Sequence, residues 1–210
     1  MDLALNAFAP PRYACAAPAL RLAGMDQPME PASSDEALMQ AWAGGDVAAF
    51  EQLYARHRQR LFAFLLGQVR QRALAEELFQ DVWQRVIGAR ASWRPEAAFS
   101  TWLYRIAHNR LNDHWRASRH RPAAPEDAER RTLELVDPEN PEGLADRDQV
   151  RERLRQALAE LPQEQRQAVL LRLHGELSLE EIGALTGVGR ETVKSRLRYA
   201  LDKLRSRLER

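Results

Sequence analysis

Cysteine is nearly absent from this chain of 210 residues, with Cys15 standing alone. One thiol forms no internal disulfide and supplies no cysteine-rich zinc module, so the expected setting is the reducing cytoplasm. Lysine is scarce as well: of 31 basic residues, two are lysines, Lys194 and Lys203. That skew follows genome composition more simply than function. No apolar run approaches the roughly 18 residues of a membrane-spanning helix, so membrane insertion is not expected. With 10 glycines and 11 prolines the chain is neither collagen-like nor low in complexity. Nowhere do apolar and polar residues alternate with period two, so no strands are expected.

What is present is ordinary for a globular chain, 45% hydrophobic and 29% charged. The net charge of +1 conceals a pattern, because residues 1–34 carry −1, 35–121 carry +4, 122–150 carry −6 and 151–210 carry +4. These shifts suggest four segments. Residues 1–34 hold five prolines and no periodicity, which reads as a disordered tail or as a start placed too early, with Met25 the true one. Residues 122–150 combine prolines with nine acids and few large apolar side chains, the composition of a flexible linker.

Both basic segments read as helical. Phe50, Leu53, Tyr54, His57, Leu61, Phe64 and Leu65 form one stripe of a long helix. The doublets Leu78/Phe79, Val82/Trp83 and Val86/Ile87 recur every four residues and mark a second helix, which Gly88 should end. After an irregular stretch around Pro95, a third helix carries Phe99, Trp102, Leu103, Ile106, Ala107, Leu111 and Trp115 on its apolar face. Beyond the linker come four shorter helices. Ser178 followed by Glu181 is the capping box that opens the third of them. A turn of Gly187, Val188 and Gly189 then leads into the last, which gives a helix-turn-helix pattern. The expected fold is therefore all-α, with two small helical domains joined by a flexible acidic linker.

The last helix is strongly basic, with Arg190, Lys194, Arg196, Arg198, Lys203, Arg205 and Arg207 opposed by Glu191 and Asp202. Its apolar face is fixed by Val193, Leu197, Ala200, Leu201, Leu204 and Leu208, so the cations are expected to project outward. Such a helix fits the major groove, with base contacts near its N-terminus and arginines on phosphates. Arg190, Thr192, Lys194, Ser195, Arg196, Arg198 and Tyr199 are the candidate contacts. A second nucleic-acid surface is expected on the third helix of the first segment. Its polar stripe is Arg105, Asn109, Asn112 and Arg116, and Trp102, Tyr104 and Trp115 lie among Arg105, Arg110, Arg116, Arg119 and Arg121. Aromatics among arginines make stacking platforms for unpaired bases, and amides hydrogen-bond their edges.

Residues 75–87 (AEELFQDVWQRVI), 99–116 (FSTWLYRIAHNRLNDHWR) and 178–198 (SLEEIGALTGVGRETVKSRLR) strongly resemble bacterial RNA polymerase sigma factors of the sigma-70 family, extracytoplasmic-function (ECF) group. The match spans residues 35–121 as region 2 and 151–210 as region 4. The resemblance implies a transcription initiation factor that binds core RNA polymerase and promoter DNA. Glu77, Asp81, Gln84 and Arg85 would dock on the clamp helices of the largest polymerase subunit. The Trp93–Ser100 loop with Trp102, Arg105, Asn109, Asn112, Asp113, Arg116 and Arg119 would recognise and melt the minus-ten element. The last helix would read the minus-thirty-five element, Lys194, Ser195, Arg196 and Arg198 foremost. Tyr199 and Leu201 depart from the arginines many members carry there, which leaves the minus-thirty-five sequence open. An anti-sigma partner is a family expectation.

Two rivals are weaker. A stand-alone helix-turn-helix regulator would account for residues 151–210 but leave the Trp/Arg/Asn helix and the Glu77–Arg85 face idle. An enzyme is not expected: His108, Asp113 and His114 share no metal-binding face, and no P-loop, nucleophile elbow or Cys/His pair occurs. No metal and no cofactor are expected, and His57 reads as a core or boundary histidine. The acidic linker could compete with DNA for the basic surfaces; neutralising the acids of residues 126–148 should then raise the free protein's promoter affinity.

Overall fold

Eight α-helices and no strand make up the described residues, 33–95, 97–119 and 144–209, of the computed structural model. Residues 1–32 of the expected tail, with Cys15 and Met25, and residues 122–143 of the expected linker lie outside the described residues. The first block contains α1 (Asp35–Ala43), α2 (Val47–Val69), α3 (Arg72–Ala89) and α4 (Phe99–Arg119). The second contains α5 (Leu144–Ala159), α6 (Gln163–His174), α7 (Leu179–Thr186) and α8 (Arg190–Leu208). Helix α5 begins inside the segment expected as linker. Charge and proline content drew that boundary, but the prolines end at Pro141 and nothing from Leu144 onward opposes a helix.

Short-range chemistry sets the helix ends. The Ser34 hydroxyl accepts from the Ala37 amide and caps α1. Asp46 does the same for α2, accepting from the Ala48 and Ala49 amides, after a turn in which Gly45 takes φ +107°. The start of α4 is capped from a distance: the Glu36 carboxylate of α1 accepts from the Phe99 amide at 3.1 Å. The expected capping box of α7 is complete, with Glu181 N–H donating to Ser178 Oγ and Ser178 N–H donating to Glu181 Oε2.

The apolar stripes meet as their period requires. Leu53, Leu61, Phe64 and Leu65 of α2, Leu78, Val82 and Val86 of α3, and Phe99, Leu103, Ala107 and Leu111 of α4 are fully buried. His57 sits at the boundary, half-buried, with Nε2 against the Asp35 carboxylate.

The two blocks also pack on one another, which the sequence did not announce. Leu170, Leu171, Leu177, Ile182 and Val193 of the second block share one core with the first. At Gly67 of α2 a Cβ would come within 2.8 Å of Leu170 Cδ1, so α6 crosses α2 at close range. Polar bonds reinforce the contact. The Tyr104 hydroxyl donates to the His174 carbonyl at 2.8 Å, Thr101 Oγ1 donates to Glu181 Oε1, and Arg60 pairs with Glu176. One carboxylate, that of Glu181, therefore caps α7 with one oxygen and holds α4 with the other. Opposing this, both amide atoms of Gln68, Arg166 Nε and Gln167 Nε2 are buried without a partner among the described residues. Each such group costs about 1–3 kcal/mol, so these sites subtract from what the apolar packing contributes.

The titrating groups here make stability acid-sensitive. Burial holds the His174 and His108 imidazoles below their ordinary 6.5, with Arg60 adding to the effect at His174. The hydrogen bond from Thr101, and next the Ser178 backbone, hold the Glu181 carboxyl below its ordinary 4.5. In all three the folded form binds its proton less readily than the unfolded chain, so the unfolded state gains protons first as pH falls. The histidine contribution is complete above pH 6.5 and is lost below it; the Glu181 contribution is lost below 4.5. The melting temperature should therefore be flat above about pH 7 and fall through pH 6 and 5, with the fall reduced in His174→Gln. Thermal melts across that range test this, and a melting temperature constant down to pH 5 would contradict it.

Candidate nucleic-acid interface

Helix α8 buries Val193 in the shared core, with Leu197 half-buried beside it, and Ala200 and Leu204 against Ala157 and Leu161. Leu201 and Leu208 correct the expected apolar face: they are 55% and 40% exposed, since the elements packed against α8 cover a narrower stripe than the leucines mark out. The seven cations do not all face solvent freely. Lys203 Nζ donates to the Glu160 carbonyl at 2.6 Å, and Arg207 pairs with the Glu160 carboxylate at 2.6 Å, so both brace α8 against the end of α5. Arg190 binds Glu180 of α7 and its neighbour Glu191, which clamps the turn between the two helices. All three remain exposed, as expected, but their contacts tie them to groups off the apolar face: periodicity fixes the face, not the reach of a long side chain to a neighbouring helix.

The remaining cations form the exposed basic surface. Lys194 is exposed, 3.8 Å from Glu191. Arg198 lies over the Tyr199 ring, 4.9 Å from its centroid, with its guanidinium donating to the Tyr199 hydroxyl at 3.2 Å. Tyr199 is 55% exposed. Thr192 and Arg205 are exposed, and Ser195 and Arg196 are half-buried. The face is thus narrower than the sequence suggested and concentrated over Lys194–Arg198.

On α4 the expected polar stripe is present. Arg105, Asn109 and Arg116 are exposed, and Asn112 is half-buried with its amide 3.3 Å from the His108 ring. The Arg119 side chain lies outside the described residues. Asp113 stands between Arg116 at 3.9 Å and Arg85 of α3 at 3.8 Å. Its carboxylate is therefore a partner of cations, with no donor to offer a base. Of the aromatics, Trp102 and Trp115 are half-buried and keep part of their surface open. Tyr104 corrects the stacking expectation: it is 1% exposed, and burial raises its phenol well above the ordinary range. Trp93, in the loop before α4, is buried as well.

Helix α3 presents Glu77, Asp81, Gln84 and Arg85 on one side, three exposed and Asp81 half-buried. Two further residues support these surfaces: Glu36, which the sequence did not single out, and Arg110, expected among the arginines of α4. Glu36 caps α4, and Arg110 of α4 reaches Asp81 and Glu77 of α3. Spacing could have placed Arg110 near the polar stripe, but its partners lie on another helix. Among the described residues no group of three or more His, Cys, Asp or Glu is placed to hold a metal ion, and no helix is long and apolar enough to cross a membrane.

An all-α chain with a C-terminal helix-turn-helix and a separate Trp/Arg/Asn helix belongs to the class of multi-surface DNA-binding proteins. Comparison with known proteins narrows the class. The model for sigma-70 region 2 matches residues 53–121, and the model for sigma-70 region 4 matches residues 157–206. The RNA polymerase sigma factor CarQ of Myxococcus xanthus is 35% identical over 81% of this chain and 95% of its own. The ECF RNA polymerase sigma-E factor of Escherichia coli K12 is 32% identical over 80% and 93%. The solved structure of CnrH in complex with the cytosolic domain of CnrY is similar in fold, with a TM-score of 0.61 at 24% identity over 84% of this chain and 98% of that one. The chain belongs to the sigma-70 family of RNA polymerase sigma factors, in its ECF group, and is a promoter-specific transcription initiation factor.

Proposed function

We propose that the chain divides initiation among three helices. Helix α3 docks on core RNA polymerase through Glu77, Asp81, Gln84 and Arg85. Helix α4, with the loop before it, recognises and melts the minus-ten element through Trp102, Arg105, Asn109, Asn112, Arg116 and Arg119, and Asp113 orients the cations beside it. Helix α8 reads the minus-thirty-five element in duplex form through Lys194, Ser195, Arg196 and Arg198, with Thr192 and Tyr199 at its edge. Arg190 acts one step back, holding the turn. The observation that carries this reading is the order along one chain of a region-2 block bearing the α4 surface and a region-4 block bearing the α8 surface.

The protein needs no catalytic chemistry for this task. Unpairing costs a few kcal/mol per base and is offset when unstacked bases are captured on aromatic and polar side chains. The exposed parts of Trp102 and Trp115 suit that role. Core polymerase, promoter DNA and an anti-sigma protein are its partners, and the cytoplasm is its place of action.

The test is binding to core polymerase followed by transcription from a promoter-bearing bacterial DNA library. Tight binding with promoter-dependent transcripts supports the reading. Duplex binding without any affinity for core would indicate a stand-alone regulator. Within the active holoenzyme, Lys194→Ala and Arg198→Ala should each weaken promoter binding. A residue that contacts only phosphate should also lower the slope of log affinity against log salt by about 0.9. Salt titrations that leave both affinity and slope unchanged would remove these two residues from the interface.

A further inference from the structure

The docking helix and the promoter helix are joined by a ladder of charges. Along α3 run Glu77, Asp81 and Arg85, at steps of four residues; facing them on α4 are Arg110 and Asp113, three residues apart, with Arg116 one step further along α4. Such steps keep each set on one side of its helix. Arg110 Nε and a terminal nitrogen both lie 2.7 Å from the same oxygen, Oδ2 of Asp81, and that terminal nitrogen lies 3.6 Å from Glu77 Oε1. Arg85 and Asp113 form the next rung at 3.8 Å.

The rungs differ in weight. The Arg85–Asp113 pair is about half-exposed on both sides, and a pair of that kind contributes little. Arg110 is different, with 15% of its side chain exposed. Two of its donors converge on one carboxylate oxygen, where a lysine would offer a single ammonium in less fixed geometry. Asp81 is thereby held by one oxygen, while its side chain remains 35% exposed and that of Glu77 65% exposed. The Asp81 carboxylate thus faces outward from a fixed frame with Glu77 beside it, the arrangement that suits a basic partner surface.

We propose that Arg110 is a positioning residue for polymerase docking: it fixes the Asp81 carboxylate on α3, beside Glu77, for a basic surface of the core enzyme and ties that docking face to the promoter-reading face of α4. The inference rests on the assignment of α3 to docking. An unbraced Asp81 would sample several rotamers, and binding would then have to order it at a cost in affinity. Because Arg110 belongs to α4, any shift of α3 on docking is transmitted to the helix that carries Arg105, Asn109 and Arg116.

The experiment measures affinity of the full chain for core polymerase with wild type, Arg110→Ala, Arg110→Lys, Asp81→Asn and the Arg110→Ala/Asp81→Asn double variant. Circular dichroism and thermal melts identify the folded fraction of each. Arg110→Ala should weaken core binding about 10-fold among folded molecules, Arg110→Lys should recover part of the loss, and the double variant should bind no worse than about the weaker single one. A merely structural role would lower the melting temperature and leave the affinity of folded protein unchanged. That result overturns the proposal, as do additive losses in the double variant. Tighter binding by Arg110→Ala overturns it too, since Arg110 would then mask Asp81. If wild type itself fails to bind core, it is the docking assignment that falls.

Discussion

Gly183→Ala is expected to disrupt the helix-turn-helix while sparing the first block. Gly183 is buried in α7, and a Cβ there would meet the Val188 carbonyl oxygen at 2.7 Å, with the Arg190 amide and the Gly189 carbonyl carbon also within 4 Å. The obstacles are backbone atoms, which cannot swing aside as a side-chain tip can. The Val188 amide meanwhile donates to the Gly183 carbonyl, so the turn is fastened to the residue that would push it away. Relief requires the turn to move, and the turn sets the direction of α8. Overpacking of this kind costs about 1–3 kcal/mol, and the backbone character of the clash places it toward the upper end. Duplex binding by α8 should fall at least tenfold, a change worth about 1.4 kcal/mol, while core binding through α3 persists. Gly187→Ala is the informative contrast: φ is +71° but nothing lies within 4 Å, so only backbone strain of about 1–2 kcal/mol is at stake. Thermal melts and duplex titrations on both variants check this, and a Gly183→Ala protein that melts and binds as wild type would refute the account.

The second large effect concerns the contact between the blocks. Elements named minus-ten and minus-thirty-five lie about 25 base pairs apart, or about 85 Å along B-form DNA at 3.4 Å per pair. A compact unit of the length of Ser33–Arg210 has a radius of gyration of about 16 Å. If α4 reads one element and α8 the other, as proposed, such a unit cannot reach both at once, and the contact through Leu170, Tyr104 and Glu181 is expected to open on the promoter. Dyes on the exposed Ser118 and Ser206, with Cys15 replaced by serine, should show high energy transfer in the free protein and low transfer in the promoter-bound holoenzyme. Leu170→Ala, which removes the side chain packed beside Gly67, should cost about 2–5 kcal/mol. Combined with Tyr104→Phe it should split one unfolding transition into two. Transfer that stays high on the promoter would show that the contact survives and that one element is not being read.

The buried polar groups near this contact fit a junction made to open. Gln68, Arg166 and Gln167 would regain water on separation, which offsets part of the apolar surface exposed. A fully satisfied interface would be harder to part.

The helices themselves were legible because their causes are local. Period 3.6 located the buried stripes of α2, α3 and α4, Ser178 and Glu181 announced the start of α7 three residues apart, and the glycine turn announced α8. The family resemblance rested on the same contiguous residues. What the sequence alone could not give was the partner of each face. An apolar stripe states which side of a helix is covered but not by what, so the packing of α6 on α2 appeared only in three dimensions. Tyr104 looked like an aromatic among arginines, yet its partner is a carbonyl 70 residues away. The long charged side chains were the least legible. Lys203 and Arg207 reach Glu160, Arg190 reaches Glu180 and Arg110 reaches Asp81, and every one of those partners lies off the helix that carries the cation. The sequence by itself therefore determined the helices, their order and their family, because backbone hydrogen bonds and caps act within a few residues. Only the tertiary structure decided which charges remain free for DNA and polymerase, because ion pairing depends on which helices meet.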